Sequence, residues 1–450
     1  MVEAVVALGP GTFPRGIHPF EGKELAENAK IEVLPTPKQV LLPVLQHIGA
    51  PAKLPPKPPK QVSAGDIVAE AGGFVSSPVH ASVTGKCGKP LNLTLPNGRH
   101  VAALPITPGE EQPTAEELYE AVIGGDWPTT DLPDLDPAEI TEAVKLGGLV
   151  GMGGAAFPTH VKITRNEKKP VDVVLVNGCE CEPYLTADYR MMVEAPRAIV
   201  AGALLTAKAA GAKSVVIAIE RNKPKGIAAL QKASQGTIAQ VKPLETKYPM
   251  GGEKQTVPAA LGRIIPTGGL PLDVGVVVIN IGTSLSVARA VLRKAPVTHR
   301  VVTVTGHGIT TPKNLLVPIG TPYRALIDAC GGLKSSAVRV VSGGPMMGFT
   351  VADLNTPVTK GTSGLTVLTD ADIQQADETA CIRCGRCVDV CPLGLVPTRL
   401  ALAARKEIWD VVRRYHISAC MECGCCAYTC PASIPLVQLI RMGKARLPKN

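Results

Sequence analysis

Near its C-terminal end the chain carries two cysteine runs of one pattern, Cys381-x2-Cys384-x2-Cys387-x3-Cys391-Pro392 and Cys420-x2-Cys423-x2-Cys426-x3-Cys430-Pro431. No other stretch restricts the fold so tightly. Three thiolates two residues apart wrap a tight loop around three corners of a cube, the spacing that holds [4Fe–4S] clusters in bacterial iron–sulfur proteins. The fourth Cys precedes a Pro, which cannot continue a helix, so it leaves the loop and reaches elsewhere. Where two such runs occur together, each fourth Cys ligates the other cluster. This assigns Cys381, Cys384, Cys387 and Cys430 to a first cluster, and Cys420, Cys423, Cys426 and Cys391 to a second. Cys425 is the spare, because only Cys426 keeps the register in both directions. A pair of structural zinc sites would use C-x2-C pairs and needs neither the tripled spacing nor both prolines. The segment reads as a conductor of single electrons. Arg383 and Arg386 lie in the first run and Glu422 in the second. Positive charge favours the more reduced cluster, so the first is expected to have the higher potential.

With 450 residues the chain is long enough for two to four domains. Its 45 Gly and 41 Pro fall short of the share that marks disorder. The longest apolar stretches, near 196–219 and 274–292, are broken by Lys208 and Arg289, which speaks against a membrane span. The N-terminus, MVEAVVALGPGTF, has no basic start and no long apolar core, so no signal peptide is expected. Five of the 13 Cys lie outside the cluster ligand sets and are scattered, which fits a reducing compartment. A net charge of +9 is modest at this length, and basic patches interleaved with aromatics are absent, so nucleic acid is not an expected partner.

From the N-terminus, a Pro/Gly-punctuated arm, F-P-R-G-I-H-P-F-E-G-K, leads into short strands separated by Gly, Pro and Asn-Gly turns. A small β-sandwich of the biotinyl/lipoyl type fits 31–105. No Lys stands within V-H-A-S-V-T-G (79–85), where such a domain carries its prosthetic group, so the sandwich reads as structural and His80 as a strand residue. A Pro-rich acidic linker (108–136) holds one short helix, 114–123. Asp136-Pro137-Ala138-Glu139 then supplies a cap, a first-turn Pro and a capping-box Glu for a helix to Leu146.

A Gly-rich stretch follows, G-L-V-G-M-G-G-A-A-F-P-T-H-V-K (148–162). Gly151-x-Gly153-x-x-Ala156 matches the dinucleotide fingerprint in letters, but it follows a helix rather than a strand. Its clustered glycines still allow backbone N–H groups to close on a phosphate. Near-continuous apolar runs at 171–177, 214–220, 237–241 and 274–280 alternate with helical runs at 195–210, 224–234, 255–263 and 284–294, the pattern of a buried, largely parallel sheet. Polar segments after strand ends lie at 177–190, 248–255 and 280–284, where open α/β sheets place ligands. Glu180, Glu182 and Glu253 on these segments are candidate acceptors for ribose or amide groups. Residues 297–341 resemble a β-grasp module, and 397–415 reads as two amphipathic helices holding the clusters.

The combination of G-M-G-G-A-A-F-P-T-H-V-K, N-G-C-E-C-E-P and Y-P-M-G-G-E with a doubled cysteine tail resembles known families. The middle is similar to the flavin-binding subunit of respiratory NADH dehydrogenase. The whole chain, including F-P-R-G-I-H-P and S-P-V-H-A-S-V-T-G, resembles the C subunits of Rnf electron-transport complexes. The resemblance implies a multidomain α/β protein: an N-terminal arm and barrel-sandwich hybrid (1–110), a central α/β flavin and NAD(H) domain (111–295), a β-grasp module (296–368) and a helical two-cluster ferredoxin-like domain (369–450). It implies non-covalent FMN held by Gly151, Gly153, Gly154, Lys162, Asn177, Glu180, Gly252 and Asn280. Phe157, Glu182 and Glu253 would face NAD(H) as substrate. Met152 and Cys179 stand where the respiratory flavoprotein has Arg and Asp. Implied partners are the other subunits of a membrane complex, among them a ferredoxin-like iron–sulfur subunit, with this chain peripheral on the cytoplasmic face. The implied reaction is ferredoxin:NAD oxidoreduction coupled to ion translocation by the partners. A cobalamin reductase of the same superfamily is one alternative, separated by a cobalamin assay. A flavin-free iron–sulfur relay is another, separated by flavin content.

Overall fold

The computed structural model describes residues 9–373 and 376–448; the first eight residues, on which part of the N-terminal reading rests, lie outside the described set. Four parallel strands form the central sheet in the order Ala239–Leu244, Ser214–Glu220, Val173–Gly178, Val276–Asn280. Val215, Val216, Ile217, Ala218 and Ile219 are all buried, as a strand covered on both faces requires. The strand expected from Thr237 begins at Ala239, because Thr237 is held in a turn by its bonds to the Ser234 carbonyl. Helices Pro196–Ala210 and Ile281–Leu292 cross so closely that a Cβ on Gly202 would lie 1.7 Å from the Ser284 carbonyl oxygen. The chain lays down Val173–Gly178 first, adds two strands on one side, and returns to add Val276–Asn280 on the other. This reversal opens a crevice at the carboxyl ends of those two neighbours. Asn177 and Asn280, paired in register, stand at its mouth.

The expected capping box at Asp136 with Glu139 is present, and a second stands at Thr114 with Glu117. The N-terminal module has a sheet ordered Val40–Pro43, His100–Pro108, Gly85–Cys87, Gln61–Val62, with Leu91–Thr94 paired to His100–Pro108. Ile31–Val33 is not part of it. That strand forms the edge of a separate six-stranded sheet, parallel to Lys313–Pro318. A three-residue strand carries too little pattern to name its partner. The rest of this mixed sheet (His299–Thr305, Gly364–Thr369, Ala337–Ser342, Phe349–Thr350) shares a core with helix Tyr323–Ala329.

The C-terminal unit is a visible duplication. Helices Arg386–Asp389 and Cys425–Tyr428 follow left-handed glycines, Gly385 (φ 79°) and Gly424 (φ 86°). Arg383 and Glu422 match at φ 58° and 60°, and Gly394 and Ser433 at φ 66° and 51°. Helices Pro397–Arg405 and Leu436–Arg446 pack through Gly443, where a Cβ would meet Ala404 at 2.6 Å.

One buried cation locks the modules together. Lys360, 1 % exposed, donates to the carbonyls of Pro78 and Gly148, both at 2.6 Å, and to Ser77 Oγ at 3.3 Å. Burial lowers its pKa to about 7. His80, buried beside it, packs against Gly148, so it is an interface residue as well as a strand residue. Lys360→Met strands two buried acceptors and is expected to cost about 3 kcal/mol. A drop in the thermal midpoint, with weaker retention of whatever the neighbouring Gly-rich loop holds, checks this.

Candidate functional site

The Gly-rich loop is a closed hairpin over the crevice. Val150 bridges Pro158, and the Gly151 N–H donates to the Phe157 carbonyl at 2.8 Å. From beneath, the Met152 N–H donates to Thr283 Oγ1 (2.9 Å), and Arg300 donates to the Met152 carbonyl (3.2 Å). Gly153 touches Asn280: a Cβ there would lie 2.9 Å from the amide side chain. Gly154 faces open space, with nothing within 4 Å of where a Cβ would stand. Phe157 is half-buried beside the loop.

Strand ends supply the opposite wall. Asn177 donates to the Gly251 carbonyl at 2.7 Å and accepts from the Cys179 N–H. Asn280 caps helix Ile281–Leu292 by accepting from the Gly282 N–H, and donates to Asp188 at 2.5 Å. Lys162 pairs with Glu253 (2.9 Å) and bonds the Val278 carbonyl (3.2 Å), which holds an ammonium at the crevice edge. Gly252 is the N-cap of helix Glu253–Leu261. The structure therefore brings Gly151, Gly153, Gly154, Phe157, Lys162, Asn177, Gly252, Glu253 and Asn280 around one crevice.

Glu180 and Glu182 have other engagements. Glu180 accepts from the N–H groups of Asp188 and Tyr189, at the start of helix Ala187–Glu194. Glu182 accepts from Met346 and Met347 N–H groups (3.2 and 2.8 Å), seating the S-G-G-P-M-M-G loop, and Gly344 has no room for a Cβ beside it. Met152 and Cys179 are buried among apolar residues rather than turned to the crevice. Asp188 and Arg300 escaped the sequence reading. Asp188 stands one bond behind Asn280, where burial and then Glu180 raise its pKa to about 7 against the pull of Arg300. Its signal was an acid in the first turn of a helix after a strand-end loop, and no local pattern marks Arg300.

Burial lifts the Glu182 carboxyl to about 7, against two N–H donors, Lys23 and Arg441. The folded chain thus keeps a proton that the unfolded chain releases from about 4.5 upward. Stability from this group falls as pH rises from about 4.5 to 7 and is level above that. Glu182→Gln should flatten the slope, which thermal midpoints of both chains at pH 5 to 8 would show.

The cysteine tail presents two different faces. Cys391, Cys420, Cys423, Cys425 and Cys426 line one small cavity with Leu395 and Val437. Backbone N–H groups of Leu395 and Glu422 point at Cys391 Sγ (3.3 Å) and Cys420 Sγ (3.4 Å). Among the described residues no group of three His, Cys, Asp or Glu side chains is arranged to hold a single metal ion. Cys381, Cys387 and Cys430 pack in the same small core, while Cys384 is exposed. Glu422 is not an unbalanced charge: Arg441 (2.9 Å) and Lys444 (2.7 Å) pair with it, which removes it as a ground for ranking the potentials. Cys425 is buried with Ile17, Tyr248 and Cys423.

Known proteins share this arrangement. Residues 11–111 match the RnfC barrel sandwich hybrid domain, 144–289 the Nuo51 FMN-binding domain, 301–350 the SLBB domain and 380–434 the 4Fe-4S dicluster domain. The chain is 42 % identical, over 96 % of its length and 93 % of the relative's, to the C subunit of the proton-translocating ferredoxin:NAD(+) oxidoreductase complex of Clostridium ljungdahlii. It belongs to that family of C subunits. The Na(+)-translocating counterpart of Acetobacterium woodii is 40 % identical, over 97 % of each chain. Among solved structures it is similar to a chain of an NAD+-reducing [NiFe]-hydrogenase (TM-score 0.48, 19 % identity, 74 % of this chain and 65 % of that one). As a member of that family it joins an FMN-binding domain to a two-cluster iron–sulfur domain in one electron-transport oxidoreductase chain. No described helix is long and apolar enough to cross a membrane.

The residues suit these groups. Five cysteines line the cavity, and the four that keep the register of the two runs, with N–H groups on the sulfurs of Cys391 and Cys420, would suit a four-iron cluster. The glycine without a neighbour and the fixed ammonium, beside the two strand-end amides, would suit a flavin phosphate and ring.

Proposed function

We propose that the chain is the NAD(H)-reacting subunit of a membrane electron-transport complex, passing electrons between NAD(H), non-covalent FMN in the sheet crevice and two [4Fe–4S] clusters. Ferredoxin:NAD oxidoreduction coupled to ion translocation by partner subunits is the reaction this serves. One observation carries the reading: the segment Tyr248–Glu253 touches the second cysteine loop at one end and the crevice at the other. The Tyr248 hydroxyl donates to the Cys423 carbonyl at 2.6 Å, and Glu253 holds Lys162.

Bound FMN supplies the exchange between a hydride and single electrons. The chain's part is placement. Lys162, fixed by Glu253 and the Val278 carbonyl, offers a cation to a phosphate or a ring oxygen. Asn177 and Asn280 orient the ligand from the strand ends, and Phe157 lines the side open to a nicotinamide. NADH gives up two electrons and a proton to become NAD+, so two one-electron carriers balance one hydride. Cys391, Cys420, Cys423 and Cys426 form the inner cluster, because Met421 leans on Gly252. Cys381, Cys384, Cys387 and Cys430 form the outer one. There Ile382 is 68 % exposed beside exposed Arg383 and Arg386, a surface for a ferredoxin-like subunit on the cytoplasmic side of the membrane. Anaerobic assay of iron and flavin, followed by NADH addition, tests the reading. A chain with full iron and no affinity for FMN would return it to a flavin-free relay.

A further inference from the structure

We propose that Tyr248 is a positioning residue whose hydroxyl fixes the contact across which the crevice and the inner cluster exchange electrons. The proposal rests on the reading of Cys391, Cys420, Cys423 and Cys426 as that cluster's ligands. Tyr248 is 2 % exposed, with its ring among Ile17, Cys423 and Cys425 and with Cys181, Met346 and Met421 packed against them. A buried tyrosine needs a partner for its hydroxyl. Here the partner is the main-chain carbonyl of Cys423, at 2.6 Å, so the bond fixes the backbone that carries a ligand sulfur.

The other end of the same short segment is equally fixed. Tyr248 is clamped to the N-terminal arm by reciprocal 2.9 Å bonds with Ile17. Three residues later the Gly251 carbonyl accepts from Asn177 and the Gly251 N–H points at Cys181 Sγ (3.2 Å). A Cβ on Gly252 would lie 2.5 Å from the Met421 methyl, so the cysteine loop rests directly on the crevice loop. The first cysteine run is held through its last turn, where Gly16 N–H and Arg15 donate to the Val390 and Val388 carbonyls (both 3.1 Å), while its loop from Ile382 to Arg386 is exposed. The Tyr248 hydroxyl thus ties the inner loop to the floor of the crevice. Removing its hydroxyl leaves a buried carbonyl unpaired and frees the loop to shift. A misplacement of ~1 Å costs about 10²-fold where reacting partners must be aligned. One lost bond moves the loop less than that, so about tenfold is expected.

The test uses the full chain loaded with FMN and both clusters, mixed with NADH in an anaerobic stopped-flow instrument that follows flavin and cluster absorbance separately. In Tyr248→Phe the flavin should be reduced within about twofold of the parent rate while cluster reduction slows about tenfold. Iron, FMN and cluster potentials should be unchanged. Met421→Ala, which opens the same contact from the cluster side, should slow the same step. Cluster reduction at the parent rate in both variants would overturn the proposal. So would slowing of both steps in equal proportion, or loss of iron from Tyr248→Phe. Clusters left oxidised by NADH in the parent itself would instead overturn the underlying reading, and that result needs no variant to see.

Discussion

Cys391→Ser is expected to remove the cluster whose other ligands lie about thirty residues downstream, at Cys420, Cys423 and Cys426, and to spare the one at Cys381, Cys384 and Cys387. Cys391 lines a single cavity with Cys420, Cys423, Cys425 and Cys426, and the Leu395 N–H points at its sulfur. Iron should fall from about eight to about four per chain. Paramagnetic resonance should show that the missing signal is the one also lost in Cys420→Ser. Cys430→Ser should do the converse. Cys425→Ser is the control: it lines the same cavity but stands outside the register of the two runs and packs on Tyr248 and Ile17, so about eight irons should remain. Loss of the local cluster in Cys391→Ser would refute the crossed assignment. NADH-driven electron delivery to a protein acceptor should fall about 100-fold or more, since the inner carrier is gone.

Gly154→Val is expected to have the opposite effect, emptying the flavin site and sparing the iron. Nothing in the protein stands within 4 Å of a Cβ at Gly154, so the fold gives a larger side chain no reason to clash. Only a ligand covering the loop would meet it. FMN retention should drop at least about tenfold, with a thermal midpoint close to that of the flavin-free parent. The clusters should accept electrons from dithionite and not from NADH. Gly153→Val makes a useful contrast: its side chain meets Asn280, so it should lose FMN and stability together. A Gly154→Val chain with parent-like FMN content would move the phosphate site away from this loop.

The parts legible in the sequence were those whose logic is local. Thiol spacing and the Asp136 cap each carry their constraint within a few residues, whereas Asn177 and Asn280 entered through the resemblance. So the two cysteine runs and the polar segments at the strand ends could be located along the chain without a structure. What escaped was set by partners far away. Ile31–Val33 looked like a strand of the sandwich and paired instead with Lys313–Pro318. Glu182 looked like a free strand-end acid, but its oxygens are taken by Met346 and Met347. Glu422 looked like an unpaired negative charge until Arg441 and Lys444 came back across one helix. The bond from Tyr248 to Cys423 joins residues 175 positions apart, and no periodicity announces it.

The most direct test of the account is an anaerobic NADH titration of the intact, purified chain, with iron and flavin measured on the same sample. About eight irons and one FMN per chain are expected, and NADH should bleach the flavin and then reduce cluster iron. Flavin that NADH leaves oxidised, or full iron with no flavin bound even when FMN is supplied, would contradict it.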